Sequence, residues 1–319
     1  MQTFLFYDLE TTGLNKAFDQ ILRFAAIRTD TALREIDRHE VSVRLRPDVI
    51  ISPGAIITHR IPVAESLGGT PEYDAALKIH KWLNAPGTVS LGYNSLGFDD
   101  EFLRFTFHRN LLPPYTHQYA NGCRRMDILP YTVVYRLYSE ETLRWPEIDG
   151  QPTLKLEHLS TANQLASGRA HDAMVDVEAT VALAEKFSKE KKIWDFLSGY
   201  FDKRIDADRI ADLPPAFPDD SGDHRQGLLV SHDMGKENSY QAPVISIGNS
   251  IPYSNQTLWL RLDLPELQTT TPETTGDTTW VVRKRVGEPP FILPPRDRYW
   301  QRLPEERRKI ARDNLAWLS

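Results

Sequence analysis

The sequence is poor in cysteine: Cys123 is the only one among 319 residues. One thiol can form neither an internal disulfide nor a cysteine metal cluster, and it suits a reducing compartment such as the cytoplasm. The chain also lacks any apolar run near the roughly 18 residues of a membrane-spanning helix. It begins in a strand-like run without a basic segment or a small-residue cleavage site. We therefore expect neither a membrane partner nor a secretory signal.

Two signatures of common enzyme classes are also missing. The sequence contains no phosphate-binding glycine loop ending in Gly-Lys-Ser/Thr, which argues against an ATPase. The nearest approach to a serine-hydrolase elbow, 93–97, has Tyr93 where the first glycine belongs. The formal net charge of −6 argues against a protein that binds nucleic acid by bulk positive charge. The negative net charge is compatible with a nuclease whose acidic site binds phosphate through metal ions.

The stretch 4–14 is the first candidate for chemistry. It opens apolar and aromatic, as a core strand does, and then places Asp8 and Glu10 two residues apart. Side chains at i and i+2 share one face of a strand, so these carboxylates repel each other unless a cation lies between them. Thr11, Thr12 and Gly13 then break the strand. Read alone, the stretch also fits a strand ending in a polar turn.

Two further acidic segments follow. Asp99 stands just after a predicted strand and turn, at the start of a predicted helix, where it or Asp100 could instead cap that helix. Asp176 falls inside a predicted helix whose inward face is small and apolar, and Asp172 is placed to cap that helix. His171 lies just outside it, where a histidine is more often structural than catalytic.

These segments together suggest a two-metal site. Carboxylate oxygens are the ligands that Mg²⁺ and Mn²⁺ prefer, and the candidate set is Asp8, Glu10, Asp99 and Asp176. Two ions about 3.5–4 Å apart can clamp the attacking water and the leaving oxygen of a phosphodiester. His171 could accept the proton of that water, because an unperturbed histidine titrates at about 6.5.

The order of predicted elements indicates a mixed α/β sheet. Strands at 4–8, 24–30 and 41–45 are joined by short connections and predict an antiparallel meander. Strands then alternate with helices, the clearest of which are predicted at 72–83 and 172–189.

The composition changes after about residue 200. A stretch rich in proline and aspartate predicts a linker over 201–225. Short strand-like pieces over 226–303 predict a small β-barrel, and 304–319 predicts a terminal helix. The predicted organisation is a catalytic domain at 1–200 followed by this smaller β domain.

The acidic motifs resemble those of the DEDD superfamily of 3′→5′ exonucleases, histidine subtype. The matching segments are Asp8 to Gly13, Tyr93-Asn94 with Phe98-Asp99, and His171 to Asp176. Within the superfamily the chain is similar to the bacterial exonuclease I family, with supporting matches at 24–30, 91–94 and 156–159. We expect the chain to lack that family's C-terminal helical domain.

The resemblance implies an RNase H-like sheet followed by a domain that resembles the Src-homology-3 (SH3) fold. It assigns Asp8, Glu10, Asp99 and Asp176 to metal and His171 to the general base, which makes His171 and Glu10 the catalytic candidates. It also implies these substrate-binding candidates: Glu10, Thr11, Thr12, Gly13, Asn94, Phe98, Arg104, Arg109, Tyr115, Tyr119 and Lys155.

Several of these candidates have an ordinary alternative. Interleaved basic and aromatic side chains suit single strands, whose bases stack and whose phosphates need charge. Arg104, Arg109, Tyr115 and Tyr119 fit a solvated helix face with loop aromatics equally well. Lys155 stands where the family uses arginine, which forms bidentate phosphate contacts that lysine cannot. In addition, His59 replaces a glycine that is usual in the family.

The expected function is a 3′→5′ exodeoxyribonuclease that degrades single-stranded DNA to 5′-mononucleotides with two Mg²⁺ ions, Mn²⁺ being able to substitute, in DNA repair or recombination. The resemblance also implies the acidic tail of single-strand binding protein as a partner, and we expect a cytoplasmic monomer. Two alternatives stay open: an RNA-trimming exonuclease of the same superfamily and a non-catalytic module that binds single strands. Discriminating DNA from RNA needs contacts to the 2′-hydroxyl, which the sequence does not reveal.

Overall fold

The computed structural model describes residues 1–217 and 224–319, so part of the predicted linker lies outside the described residues. The chain divides into two compact units. The first contains residues 1–129 and 141–191, and the second contains residues 130–140 and 192–319. No helix in the described part of the chain is long and apolar enough to cross a membrane.

The first unit is built on a mixed five-stranded sheet, as predicted. Its strands are β1 (Thr3–Thr11), β2 (Ile21–Thr29), β3 (Glu35–Ser42), β4 (Thr88–Gly92) and β5 (Arg124–Asp127), in the order β3-β2-β1-β4-β5. The first three form an antiparallel meander, and β4 and β5 run parallel to β1. The third strand was predicted at 41–45 but covers 35–42. It is a largely exposed edge strand whose polar sequence gives little hydrophobic signal.

Helices and a short hairpin complete the first unit. In chain order they are α1 (Pro53–His59), α2 (Val63–Ser66), α3 (Glu72–Leu83), α4 (Asp99–Arg109), α5 (Ile128–Tyr138, shared with the second unit), the hairpin strands β6 (Glu147–Ile148) and β7 (Gln151–Pro152), α6 (Leu156–Asn163) and α7 (Ala173–Ser188). The sequence predicts a loop over 53–69 with a short helix around 63–65, but 53–59 form a helix as well, α1. As predicted, the side chain of Asp172 caps α7 by accepting from the Met174 amide.

The core of the first unit fixes the end of the sheet where the acidic residues lie. Phe24 of β2, Ile79 and Leu83 of α3, and Phe102 and Phe107 of α4 belong to one buried cluster. Because β1 and β4 are parallel neighbours, their carboxyl ends meet at one edge, and the turn after β4 leads directly into α4. The packing therefore brings the end of β1 and the start of α4 together.

The second unit contains an antiparallel five-stranded sheet. Its elements are α8 (Lys191–Ser198), α9 (Lys203–Ala211), β8 (Gln226–Val230), β9 (Gln241–Asn249), β10 (Gln256–Arg261), α10 (Thr275–Thr278), β11 (Val281–Arg285), β12 (Phe291–Leu293), α11 (Asp297–Trp300) and α12 (Glu305–Leu318). The strand order is β11-β10-β9-β8-β12. The prediction of a linker over 201–225 was wrong for 203–211, which form α9 with Asp202 as its N-cap.

The terminal helix is anchored by a buried ion-pair network. Asp263 accepts from Arg261 Nε at 2.6 Å and from Arg307 Nε at 2.6 Å. Arg307 also donates to the carbonyls of Asn238 and Gln241, both at 2.7 Å. For 307–312 the sequence predicts a solvated helix face, but Arg307 is an anchor because its side chain is mostly buried and pairs with the fully buried Asp263.

Candidate metal centre

Three carboxylates from two elements converge at the end of β1. Asp8 and Glu10 share one face of that strand, and Asp176 projects from the first turn of α7. One oxygen from each of these three residues lies within 4.8 Å of the others. This spacing allows a single cation to contact all three side chains.

Asp99 borders the same cavity from the start of α4. It lies outside the group of three that share the 4.8 Å spacing among the described residues. Its charge nevertheless reaches the group: the pKa of Asp8 is raised well above its ordinary value by burial first, and then by Asp99 and Asp176. Burial likewise raises the pKa of Asp99 well above its usual range. The sequence-predicted ligand set is thus electrostatically one cluster.

The electrostatics of the cluster suit a divalent cation. Burial raises the pKa of Glu10 to about 8, and the charges of Asp176 and Asp172 add to the effect. Burial also raises the pKa of Asp176 to about 6. Close spacing and burial disfavour the ionised forms of these carboxylates until a positive charge is supplied. An all-oxygen donor set of this kind fits a hard ion such as Mg²⁺ or Mn²⁺.

His171 stands beside the cluster on strained backbone. Its φ of 61° is left-handed, and its amide donates to Asp176 Oδ2 at 3.2 Å. The ring Nε2 lies 3.1 Å from Glu157 Oε2 on α6. The peptide bond of His171 is therefore tied to a candidate ligand, while its ring is held by a carboxylate from another helix.

Glu157 is a functional candidate that the sequence reasoning missed. Besides His171, its carboxylate meets His158 Nε2 at 3.1 Å and Lys155 Nζ at 3.9 Å. The segment containing Glu157 matched the family, but nothing in its local pattern revealed a partner 14 residues away. Lys155 itself is largely exposed and does not border the cavity.

A cavity of about 530 Å³ opens over the carboxylates. The predicted site residues that border it are Asp8, Glu10, Thr11, Gly13, Asn94, Phe98, Asp99, His171 and Asp176. Residues that were not predicted as site residues also border it: Leu9, Leu14, Ser52, Gly54, Ala55, Thr58, His59 and Tyr93. Four of these come from α1, so the predicted loop is instead a helical wall of the cavity.

The turn after β1 is held by one aspartate. Asp19 accepts from the hydroxyl of Thr12 at 3.0 Å and from the amide of Asn15 at 2.7 Å. A Cβ at position 13 would lie only 2.5 Å from an oxygen of Asp19, so any larger residue there would push the carboxylate away from its hydrogen bonds. Thr12 is fully buried and does not border the cavity. Its observed role is to hold this turn.

Asp127 supports the opposite wall of the cavity. Its Oδ1 accepts from the amides of Asn94 at 2.8 Å and Leu129 at 2.9 Å, and its Oδ2 accepts from Leu96 at 3.0 Å. Burial raises the pKa of Asp127 to about 6 against these hydrogen bonds. The turn that it holds gives Asn94 a φ of 62° and leads into Asp99. No local pattern around Asp127 indicates this role, because its partners lie 31 and 33 residues away.

Two predictions on α4 need correction. Asp100 was one of two candidates for the helix cap, but it is fully buried and bonds the ring of His117 at 2.9 Å and Arg125 at 2.5 Å. Arg109 was expected along a substrate path, but it donates to Glu72 at 3.1 Å and to the Asp19 carbonyl at 3.1 Å. Both side chains are drawn inward because the packed interior offers them charged or carbonyl partners.

The remaining substrate candidates lie outside the cavity. Arg104 pairs with Glu101, donates to the hydroxyl of Tyr115 at 3.4 Å and stacks over the ring of Phe105 at 4.5 Å. Tyr115 and Tyr119 are exposed. Arg104 and Tyr115 thus form a basic and aromatic pair, and the contact of all three candidates with substrate stays a prediction.

The chain has clear relatives among known proteins. The sequence profile described as "Exonuclease" matches residues 5–184. Exodeoxyribonuclease I of Escherichia coli K12 is 39% identical over 199 residues, which are 61% of this chain and 42% of that protein. The Haemophilus influenzae exodeoxyribonuclease I is 36% identical over 193 residues, 60% of this chain and 41% of that protein. The chain therefore matches less than half the length of these curated relatives.

Solved structures extend the similarity to the whole chain. E. coli exonuclease I in complex with a dT13 oligonucleotide has a TM-score of 0.87 at 29% identity, covering 100% of this chain and 71% of that one. The zinc-bound form of the E. coli complex with single-stranded DNA has a TM-score of 0.85 at 27% identity, covering 100% and 71%. The predicted fold class, an RNase H-like mixed sheet followed by an SH3-like β domain, is thereby confirmed.

Proposed function

Because the chain belongs to the exonuclease family, we propose that it degrades single-stranded DNA from the 3′ end and releases 5′-mononucleotides. The observation that carries the proposal is the group of Asp8, Glu10 and Asp176, with Asp99 and His171 on the same cavity. Relatives crystallised with DNA oligonucleotides support the choice of substrate. A role in DNA repair or recombination, and a cytoplasmic monomer, are part of the same proposal.

The carboxylates are the proposed metal ligands. Asp8, Glu10, Asp99 and Asp176 would hold two divalent cations, and Mg²⁺ is our choice because all four donors are oxygens. When bound, such ions activate water and stabilise the negative charge that develops on a phosphodiester. The carboxylates themselves place this centre at the end of β1.

His171 is the proposed general base. Its left-handed backbone and the bond from its amide to Asp176 hold it next to the candidate ligands. With neutral His171, an Nε2–H bond to Glu157 leaves the lone pair on Nδ1, which can accept a proton from water. Glu157 then acts as a positioning residue that fixes the tautomer and stabilises the imidazolium that forms.

The first-unit cavity supports action on strand ends. It is bordered by the glycine turn, by α1 and by the turn at Asn94, and Phe98 offers an aromatic face beside the carboxylates. Aromatic faces stack on bases without reading their sequence. A cavity of about 530 Å³ has room for a terminal nucleotide rather than for the middle of a duplex.

The acidic tail of single-strand binding protein is the proposed protein partner. The second unit contains a cavity of about 440 Å³ bordered by Tyr138, Phe196, Tyr299, Lys192, Arg298 and Arg302 among others. Aromatic walls with three cations suit an acidic peptide that also carries apolar side chains. The sequence also offers Arg283 and Arg285 as a site for this tail. They are exposed on β11, with Lys284 between them buried against Asp206, and we favour the cavity because it adds aromatic walls to the positive charge.

A comparison of two aspartate variants tests the proposed hydrolysis. Asp176→Asn removes a ligand charge with little change in shape and should nearly abolish release of nucleotides in Mg²⁺. Asp74→Asn, at an exposed position in the first turn of α3, is the matched control and should retain wild-type activity. Matched DNA and RNA oligomers should be run together. Equal or faster cleavage of RNA would replace the DNA assignment, and binding without cleavage of either would favour a non-catalytic module.

A further inference from the structure

His59 is a buried residue of the cavity wall whose role the established family motifs do not explain. It is the last residue of α1, is only 1% exposed and borders the cavity over the carboxylates. The left-handed residue at the end of this helix is Arg60, with a φ of 57°, so the glycine-like backbone position lies one residue after His59. The histidine side chain itself is therefore free of backbone strain.

One hydrogen bond fixes the tautomer of this ring. The amide of Ile61 donates to His59 Nδ1 at 2.9 Å. Because a backbone N–H can only donate, Nδ1 must carry the lone pair, and the proton of the neutral ring lies on Nε2. Burial, together with the charges of Arg23 and Arg169, lowers the pKa of His59 and keeps the ring neutral.

The proton on Nε2 has no acceptor within the described residues. Nε2 is buried and without a hydrogen-bond partner. The surroundings hold the residue in place: Arg169 donates to its carbonyl at 3.0 Å, and the hydroxyl of Thr58 is turned back to the carbonyl of Gly54 at 3.0 Å. Buried donors are nearly always paired in folded proteins, so an unpaired one beside a cavity calls for a ligand.

We propose that His59 recognises the 3′-terminal nucleotide, donating its Nε2–H to an acceptor atom of that nucleotide. This inference rests on the proposed function, since it takes the cavity to be the site of the terminal nucleotide. The donor is fixed by Ile61 rather than created on binding, so it is organised before the substrate arrives. Every base offers a ring nitrogen or carbonyl acceptor, and the adjoining phosphate offers oxygens.

Two substitutions test the roles of the two ring nitrogens separately. His59→Asn offers an amide near the position of Nδ1, so it keeps an acceptor for Ile61 and loses the donor at Nε2. His59→Gln places an amide donor near Nε2. Binding of a fluorescent single-stranded oligonucleotide is measured in EDTA, where no strand is cut. His108→Asn, at an exposed position of α4, is the control for a histidine-to-asparagine change.

We expect His59→Asn to weaken binding roughly tenfold, the worth of one well-placed hydrogen bond, and His59→Gln to recover most of it. A strand with an abasic 3′ terminus identifies the acceptor: the effect of His59→Asn disappears if the acceptor is on the base and persists if it is on the sugar or phosphate. Wild-type affinity in His59→Asn, or equal weakening by both variants, would overturn the proposal, because the loss would not follow the donor.

The experiment keeps this inference apart from the proposed hydrolysis. Its readout is affinity without turnover, whereas hydrolysis is judged on the wild-type protein in Mg²⁺. If the wild-type protein cleaves DNA and His59→Asn binds DNA with wild-type affinity, only the proposed role of His59 is wrong. If the wild-type protein binds DNA but never cleaves it, the proposed hydrolysis is wrong and the His59 comparison is still valid.

Discussion

Glu157 Oε2 lies 3.1 Å from the ring Nε2 of His171. The two residues come from different segments, the first turn of α6 and the residue just before the N-cap of α7. A carboxylate that accepts from one ring nitrogen fixes which nitrogen is left to accept a proton. The contact thus links the orientation of the proposed base to a helix that supplies no metal ligand.

The first prediction is that Glu157→Ala lowers kcat about 10- to 100-fold with little change in KM, because the imidazole loses its orienting partner while the cavity stays intact. Glu157→Gln should retain more of the activity, since its amide oxygen still accepts from Nε2. Steady-state kinetics on a short oligonucleotide give the two constants. Glu185→Gln, exposed on α7, serves as the control. A rise in KM at unchanged kcat would contradict the positioning role.

The second prediction concerns His171 itself. His171→Ala should lower the rate of the chemical step by about 10²–10⁴, the range for loss of a general base. Affinity for DNA should stay near the wild-type value, because the carboxylates are untouched. Single-turnover cleavage and equilibrium binding measure the two effects separately. An active His171→Ala variant would remove His171 from the role of base.

The third prediction assigns Asp172 to stability. Its side chain accepts from the Met174 amide at the start of α7, so Asp172→Ala should cost about 1 kcal/mol of unfolding free energy. Activity should be largely retained below the unfolding transition. Urea denaturation gives the free energy, and cleavage of a labelled strand gives the activity. If Asp172→Ala were inactive while His171→Ala was active, the two assignments would have to be exchanged.

The fourth prediction is a pH dependence of the metal-free protein. The folded-state pKa of Glu10 is raised to about 8, above its ordinary value of 4.5, so the folded state holds a proton that the unfolded state has lost. This contribution to stability is present below pH 4.5 and is lost as the pH rises through 8. Other carboxylates of the cluster act in the same direction, Asp176 near pH 6.

Thermal unfolding in EDTA measures this dependence. The melting temperature should fall between pH 5.5 and pH 8.5, and Mg²⁺ should raise it more at the higher pH. Glu10→Gln should flatten the slope, because the substituted amide does not titrate. If melting temperature depends on pH identically in wild type and Glu10→Gln, the pKa of Glu10 is not raised in the folded state.

The fifth prediction tests the anchor of α12. Arg307→Ala leaves the buried carboxylate of Asp263 with Arg261 as its remaining charged partner, so we expect a loss of roughly 2–3 kcal/mol. Arg312→Ala, whose side chain is 55% exposed, should change stability by less than about 0.5 kcal/mol. Urea denaturation of the two variants compares them directly. Equal effects would mean that the helix is held by its apolar face alone.

The sequence predicted the centre of the site better than its surroundings. Asp8 and Glu10 were predictable because strand geometry alone puts them on one face, and the motif spacing identified Asp176. Glu157 and Asp127 were not, because their partners are distant in sequence and become neighbours only in the folded chain.

The same distinction explains the errors in the fold. The strand β3 is polar along most of its length, so no alternating hydrophobic pattern marks its start at Glu35. The helix α9 lies in a segment whose prolines and aspartates indicated a linker, and it is capped by one of those aspartates. Arg109 was predicted to line the substrate path and Asp100 was a possible helix cap, because charge alone does not reveal a buried partner.

The most direct test of the central claim is a time course on single-stranded DNA in Mg²⁺, with the label on the 5′ end in one sample and on the 3′ end in another. Digestion from the 3′ end predicts a ladder of shortening strands that keep the 5′ label, and immediate release of the 3′ label as a mononucleotide. Release of the 5′ label first, or internal fragments that carry either label, would contradict the account.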